Sequence, residues 1–168
     1  MTLTYHPAFE TPISELAALF TDAFTGYIGG QVTMTAPLLS GMIAQNGADL
    51  GLSLIAFDEN TPVGFGMIAR QGWTSRVVVM GIAQQAQGKQ VGTRLMGELI
   101  AQARARGDHF VELEAFEQNT RAVKLYEKAG FRVLRRLTAY TIENPHGEAD
   151  PALTPIDIFD AARQVSAH

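Results

Sequence analysis

Ile82-Ala83-Gln84-Gln85-Ala86-Gln87-Gly88-Lys89-Gln90-Val91-Gly92-Thr93 closes a β-branched run and opens an amphipathic helix, and the reading of the whole chain turns on it. A helix that starts behind close-approach glycines presents unpaired backbone N–H groups and the positive end of its macrodipole, which together suit a phosphate. The turn is therefore read as an anion-binding loop, with an ordinary strand-to-helix turn as the plain alternative. It does not match the ATP-binding P-loop, because Ala83 stands where the first glycine belongs and Gln90 where Ser or Thr must follow the lysine. The dinucleotide fingerprint fails too, since Gly88 and Gly92 are not preceded by a G-x-G pair. A phosphate-bearing cofactor of another kind remains.

Upstream of the turn, Arg76 to Ala83, centred on Val77-Val78-Val79, reads as an apolar strand. Before it, Leu52–Phe57 and Val63–Arg70 flank a turn at Asp58-Glu59-Asn60-Thr61-Pro62, the pattern of an antiparallel hairpin. Thr11-Pro12 suggests an N-cap with proline at the first helical position, and Ile13, Leu16, Ala17, Phe20, Ala23 and Phe24 follow at helical spacing. Gly26, Gly29 and Gly30 make residues 25–34 a loop, and a second helix runs from Ala36 or Pro37 to Gln45, stopped by Asn46-Gly47. Downstream, Val91, Leu95, Leu99, Ile100 and Ala103 form the apolar stripe of the helix that ends near Arg106-Gly107.

Phe110–Ala115 alternates, placing Glu112 and Glu114 on one face of a strand. Asn119 is suited to cap a short helix striped by Ala122, Leu125, Tyr126 and Ala129 and terminated by Gly130. Phe131–Ile142 reads as a final strand or strand pair, and Pro145, Gly147, Pro151 and Pro155 give the following stretch a linker composition before a short helix around Ile156 to Ala162. Helices, then a hairpin, then strand-helix-strand-helix-strand indicate one α/β domain with a mixed sheet.

Composition narrows the chemistry. The 168 residues, 46% of them hydrophobic, are enough for one domain with a core. Thirteen basic and seventeen acidic side chains give a net charge of −4 with no dense basic run beyond Arg135-Arg136, which weighs against nucleic acid as a partner and leaves room for a cationic amine. The chain has no cysteine, so thiolate chemistry and disulfides are excluded. His6, His109, His146 and His168 are scattered without metal-ligand spacing, so no metal is expected. No apolar run approaches the ~20 residues of a membrane span, so no membrane partner is expected and a soluble, cytoplasmic protein is the plain reading.

Gln87-Gly88-Lys89-Gln90-Val91-Gly92 resembles the Q/R-x-x-G-x-G/A acyl-CoA loop of the GCN5-related N-acetyltransferase (GNAT) family, and Leu113-Glu114, Asn119, Leu125-Tyr126-Glu127-Lys128 and Gly130-Phe131 resemble that family's second motif. The resemblance covers residues 10 to 142 and implies a GNAT-like acyl-CoA N-acyltransferase fold with a splayed central sheet over residues 1–143, followed by a linker and helical extension over 144–168. It further implies transfer of the acetyl group of acetyl-CoA, the co-substrate, to a primary amine acceptor in a ternary complex. Under it, the cofactor site comprises Met80, Gly81 and Ile82, which pair with the pantetheine arm, Gln87 to Thr93, which hold the pyrophosphate, and Asn119 and Tyr126. The loop position usually filled by glycine is Gln90, whose side chain calls for a helical backbone with negative φ.

The resemblance also makes Tyr126 the acid for the CoA sulfur, a phenol protonated at neutral pH; its other reading is an aromatic of the helix core. Glu114 is the candidate base, with Glu112 in reserve, and both are otherwise solvated strand residues. Asp22, Phe24, Tyr27 and Trp73 are candidates for the acceptor pocket. Beside the enzyme stands a non-catalytic acyl-CoA-binding or sensing module. A homodimer through the final strand or the Ile156–Val165 helix is an open expectation.

Overall fold

A computed structural model describes residues 2–30 and 32–138. Five strands, β1 (Leu3–Pro7), β2 (Ala48–Asp58), β3 (Thr61–Gln71), β4 (Thr74–Ile82) and β5 (Phe110–Leu113), form one sheet in the order 1-2-3-4-5. The first three neighbouring pairs are antiparallel, while β4 and β5 run parallel. Four helices accompany them: α1 (Ile13–Ala23), α2 (Ala36–Asn46), α3 (Val91–Ala105) and α4 (Thr120–Lys128). The sheet is mixed and the class is α/β.

Strand β3 lies at the centre, where Val63, Phe65, Met67 and Ile68 are all buried. Side chains alternate along a strand, so its two faces can be assigned from their neighbours. Phe65 stacks on Phe20 of α1 at 5.3 Å, whereas a Cβ at Gly66 would stand 2.5 Å from Leu99 of α3. Helix α1 therefore covers one face and α3 the other. Burying Phe65 completely contributes about 1.5–3 kcal/mol, and the glycine opposite lets Leu99 reach the sheet.

Local signals set most element ends. The Thr35 side chain accepts from the Leu38 amide at the start of α2, and Gly47, with φ of 62°, closes that helix. Asn119 Oδ1 accepts from the Ala122 amide at 3.2 Å to cap α4, and Gly130 follows it with φ of 96°. The cap of α1 is displaced by one residue from the sequence reading. Pro12 itself is the N-cap, with extended ψ of 135°, and makes no side-chain cap bond, so Thr11 does not cap.

Two other expectations differ. Strand β1 was not expected; it pairs with β2 from Leu3↔Asp58 to Pro7↔Leu54. Residues 131–138 form no strand, although Phe131–Ile142 reads as one. Val133 and Leu134 are 79% and 88% exposed there. The chain clusters into one unit up to Val133 and another from Leu134 onward. The boundary expected at 143/144, the linker, the helix around Ile156 to Ala162 and the dimer surface expected there lie outside the described residues.

Candidate functional site

The sheet opens where β4 leaves β5. Pairing runs from Thr74↔Phe110 to Val77↔Leu113 and stops, while β4 continues to Ile82 against β3 alone. The change coincides with an irregularity in the β3–β4 ladder: Ile68 pairs with Val77 and Met67 with Val79, leaving Val78 as an extra residue. A bulge bends its strand and sharpens the local twist, which accounts for the parting. Beyond it, Met80, Gly81 and Ile82 offer a main-chain edge that β5 does not cover.

Gly81 is needed at this point for packing, since a Cβ would lie 2.6 Å from Phe65 Cε1 and 2.9 Å from Ala23 Cβ. The chain then makes a 3-10 turn at Gln84–Ala86 and reaches α3 through Gln87 to Gln90. Gly88 has φ of 80°, a left-handed conformation natural to glycine. Gln90 departs from expectation: its φ is 62° and its ψ 8°, so the backbone is left-handed rather than right-handed helical. The turn keeps the geometry a glycine would supply there, and the glutamine side chain bears a strain of roughly 1 kcal/mol.

The amides of Val91, Gly92 and Thr93 head α3 with no carbonyl one helical turn earlier inside the helix. Gly92 also serves packing. A Cβ there would stand 2.9 Å from Leu125 Cδ1, so the missing side chain lets α4 pack against the head of α3. Gln87 ties the same corner together: its Nε2 donates to the Ile82 carbonyl at 3.2 Å and its Oε1 accepts from Arg121 at 2.8 Å. Arg121 was not among the sequence candidates. Held on Gln87, it adds a second cation to the loop that bears the exposed Lys89, and this donor set fits a diphosphate.

Tyr126 lies on α4, one residue after the Leu125 that touches Gly92. Burial, followed by the neighbouring Tyr27 phenol, raises its pKa above the ordinary tyrosine value, so it holds its proton at neutral pH. Its ring meets Phe131 edge-on at 6.0 Å. Glu114 is exposed just past the end of β5, on the side where the strands have parted. Glu112, the reserve base, sits within the paired part opposite Arg76, where it lines a recess of about 570 Å³ with Arg70, Arg76 and Asn46. Trp73 also lies at this paired end, stacked on His109 at 5.7 Å, away from Tyr126 and the glycine loop.

The remaining acceptor candidates collect at the open end. The Asp22 carboxylate accepts from the Gln84 amide at 2.9 Å, and Phe24 packs edge-on against Tyr27 at 4.8 Å. Tyr27 in turn faces Phe116 at 6.1 Å. Among the described residues no group of three or more His, Cys, Asp or Glu side chains could hold a metal ion, and no helix is long and apolar enough to cross a membrane.

A mixed sheet parted between two parallel strands, with a helix N-terminus at the mouth of the gap, defines the class of acyl-CoA-dependent acyltransferases that the loop motif resembles. The chain belongs to the acetyltransferase (GNAT) family, whose model matches residues 14–131. A mycothiol acetyltransferase of Propionibacterium freudenreichii subsp. shermanii is 33% identical over 146 residues, 84% of this chain and 46% of that protein, so the chain spans about half the length of this relative. The PaiA N-acetyltransferase of Thermoplasma acidophilum, solved with coenzyme A, shares the fold at a TM-score of 0.66 and 18% identity, covering 79% of this chain and 91% of that one. YncA of Salmonella typhimurium, described as a putative acetyltransferase and solved with acetyl-CoA, shares it at a TM-score of 0.64 and 18% identity, covering 86% and 87%.

Proposed function

We propose that this chain transfers the acetyl group of acetyl-CoA to a primary amine by direct attack in a ternary complex. The observation that carries the proposal is the gap beyond Val77↔Leu113, followed in the chain by the free amides at the head of α3, against which α4, the helix of Tyr126, packs at Gly92. Acetyl-CoA supplies an activated thioester. The main chain of Met80, Gly81 and Ile82 holds the amide-bearing arm as a neighbouring strand would, and an amide of Gly81 or Ile82 polarises the acetyl carbonyl. Gln87 to Thr93, with Lys89 and Arg121, hold the diphosphate. Asn119 caps α4 and also donates to the arm.

The acceptor must attack as a neutral amine, yet an alkylamine with a pKa of about 10 is mostly charged at neutral pH. Glu114, directly or through one water, takes the surplus proton. A bond forms between the amine nitrogen and the acetyl carbon, the carbon–sulfur bond breaks, the departing thiolate receives the Tyr126 proton, and the second proton that the nitrogen sheds as it becomes an amide returns, through water, to the Tyr126 oxygen. Neither the family nor the site favours a sensing module without turnover.

Release of free thiol from acetyl-CoA, followed across a panel of amines, tests the reading. Turnover is expected with at least one amine, and Glu114→Gln is expected to lower kcat about a hundredfold with little change in the KM for acetyl-CoA. No thiol release with any amine would overturn the proposal.

A further inference from the structure

The loop between α1 and α2 carries more structure than its glycines suggest. At its near end, Thr25, Tyr27 and Gly30 donate their amides to the carbonyls of Asp22, Phe24 and Tyr27 in successive turns. Gln84, just past β4, donates its side-chain amide to the carbonyls of Asp22 and Thr25 at 3.2 and 3.1 Å. At the far end the Met34 amide donates to Thr21 Oγ1 at 2.9 Å. Tyr27 is therefore held in place before any acceptor arrives, which spares the cost of ordering it on binding.

What it is held against is Phe116. The two rings lie 6.1 Å apart and close on Gly29, where a Cβ would meet Tyr27 Cε1 at 2.9 Å and Phe116 Cε2 at 3.1 Å. Phe116 belongs to the turn that leads into α4, because its carbonyl accepts from the Asn119 amide at 2.9 Å. The pair thus spans from the α1–α2 loop to the element that bears Tyr126. Phe116 is 53% exposed and Ile28, beside Tyr27, is 56% exposed, so the rim is apolar and open to solvent, as in a ligand groove. No charged residue occurs between Phe24 and Thr35, and one oxygen of the Asp22 carboxylate accepts from the Gln84 amide.

We propose that Tyr27 and Phe116 form an aromatic wall that selects acceptor amines carrying an aromatic or other apolar group close to the nitrogen, in preference to polyamines. The inference rests on the acetyl-transfer reading above. The ring faces contact the apolar group and the amine is directed toward Tyr126. A flexible polycation gains little from the rings, and the stretch from Phe24 to Thr35 carries no carboxylate to pair with a second ammonium.

Steady-state kinetics with 2-phenylethylamine and 1,4-diaminobutane, in the wild type and in Tyr27→Ala, Phe116→Ala and Tyr27→Phe, test this. The wild type is expected to favour 2-phenylethylamine. Each alanine variant should cut that preference about tenfold, the worth of one aromatic contact, through the KM for the amine and without moving the KM for acetyl-CoA. Tyr27→Phe should retain the preference, because the ring and not the hydroxyl makes the wall. A preference unchanged in both alanine variants, or a wild type that favours the diamine, would overturn the wall and leave acetyl transfer standing. Absence of turnover with every amine would overturn the transfer. Calorimetric binding of 2-phenylethylamine in the presence of coenzyme A then still decides the wall: a loss of about tenfold in Tyr27→Ala supports it, and no binding to the wild type sinks it.

Discussion

The two ends of β4 are held in opposite ways. At the Thr74 end the strand is paired on both sides and locked by Asp108, whose carboxylate has no exposed side-chain surface and accepts from Ser75 at 2.7 Å, Arg70 at 2.6 Å and Arg106 at 3.3 Å. At the Ile82 end one neighbour is gone, and order comes from missing side chains at Gly81 and Gly92 and from the Gln87 bridge. One end spends buried charge to keep two strands together; the other leaves main-chain groups of β4 uncovered. The contrast teaches that the closed end bears the rigidity that lets the other end stay open without loss of the fold.

The largest expected effect falls at the open end and should leave the fold alone. Tyr126→Phe is expected to lower kcat about a hundredfold in thiol-release assays, with the melting temperature within a few degrees of wild type. Burial raises the Tyr126 pKa, and the neighbouring Tyr27 phenol adds to this. The acid therefore stays protonated, and wild-type activity should hold on the alkaline side to about pH 10. An earlier alkaline loss that disappears in Tyr126→Phe would break the assignment.

Next comes the closed end, where stability should change and chemistry should not. Asp108→Asn is expected to cost about 1–3 kcal/mol in denaturant unfolding, because Ser75, Arg70 and Arg106 would face a weaker acceptor. The Ser75 hydroxyl lowers the Asp108 pKa most; burial opposes this, and Arg70 and Arg106 lower it further. A depressed carboxylate contributes stability that is complete above its unfolded value, about pH 4, and lost as pH falls through the folded one. The wild type should thus lose stability below about pH 4 more steeply than Asp108→Asn, and equal acid limbs would show that Asp108 does not lock this end.

The smallest effect sharpens the comparison at one residue. Gln90→Gly should raise stability by up to about 1 kcal/mol, since glycine accepts φ of 62° without strain but loses more freedom on folding. A loss of stability in urea unfolding would mean that the Gln90 side chain holds the loop in some other way.

Periodicity made much of this fold readable. The helical stripes, the hairpin, the glycine turn and the Asn119 cap are local signals, and each falls close to where it was expected. What stayed hidden depends on partners distant in sequence. Leu3–Pro7 is a strand because it pairs along β2, whereas residues 131–138, of comparable apolar content, pair with no strand among the described residues. The Asp108 lock draws on Arg70 and Ser75, more than thirty positions earlier, and Arg121 faces the loop only once Gly92 has let α4 approach. Gln90 misled because its left-handed backbone belongs to the turn and not to the residue.

The extra residue at Val78 has one more implication. The aperture beside Met80 follows from how many residues β4 places opposite β3 more than from which residues they are. Substitutions along this stretch would leave the tally intact, whereas loss of a single codon there would bring the ladder back into step and let the sheet zip shut. Apart from Gly81, a site of this kind is constrained in length more than in sequence.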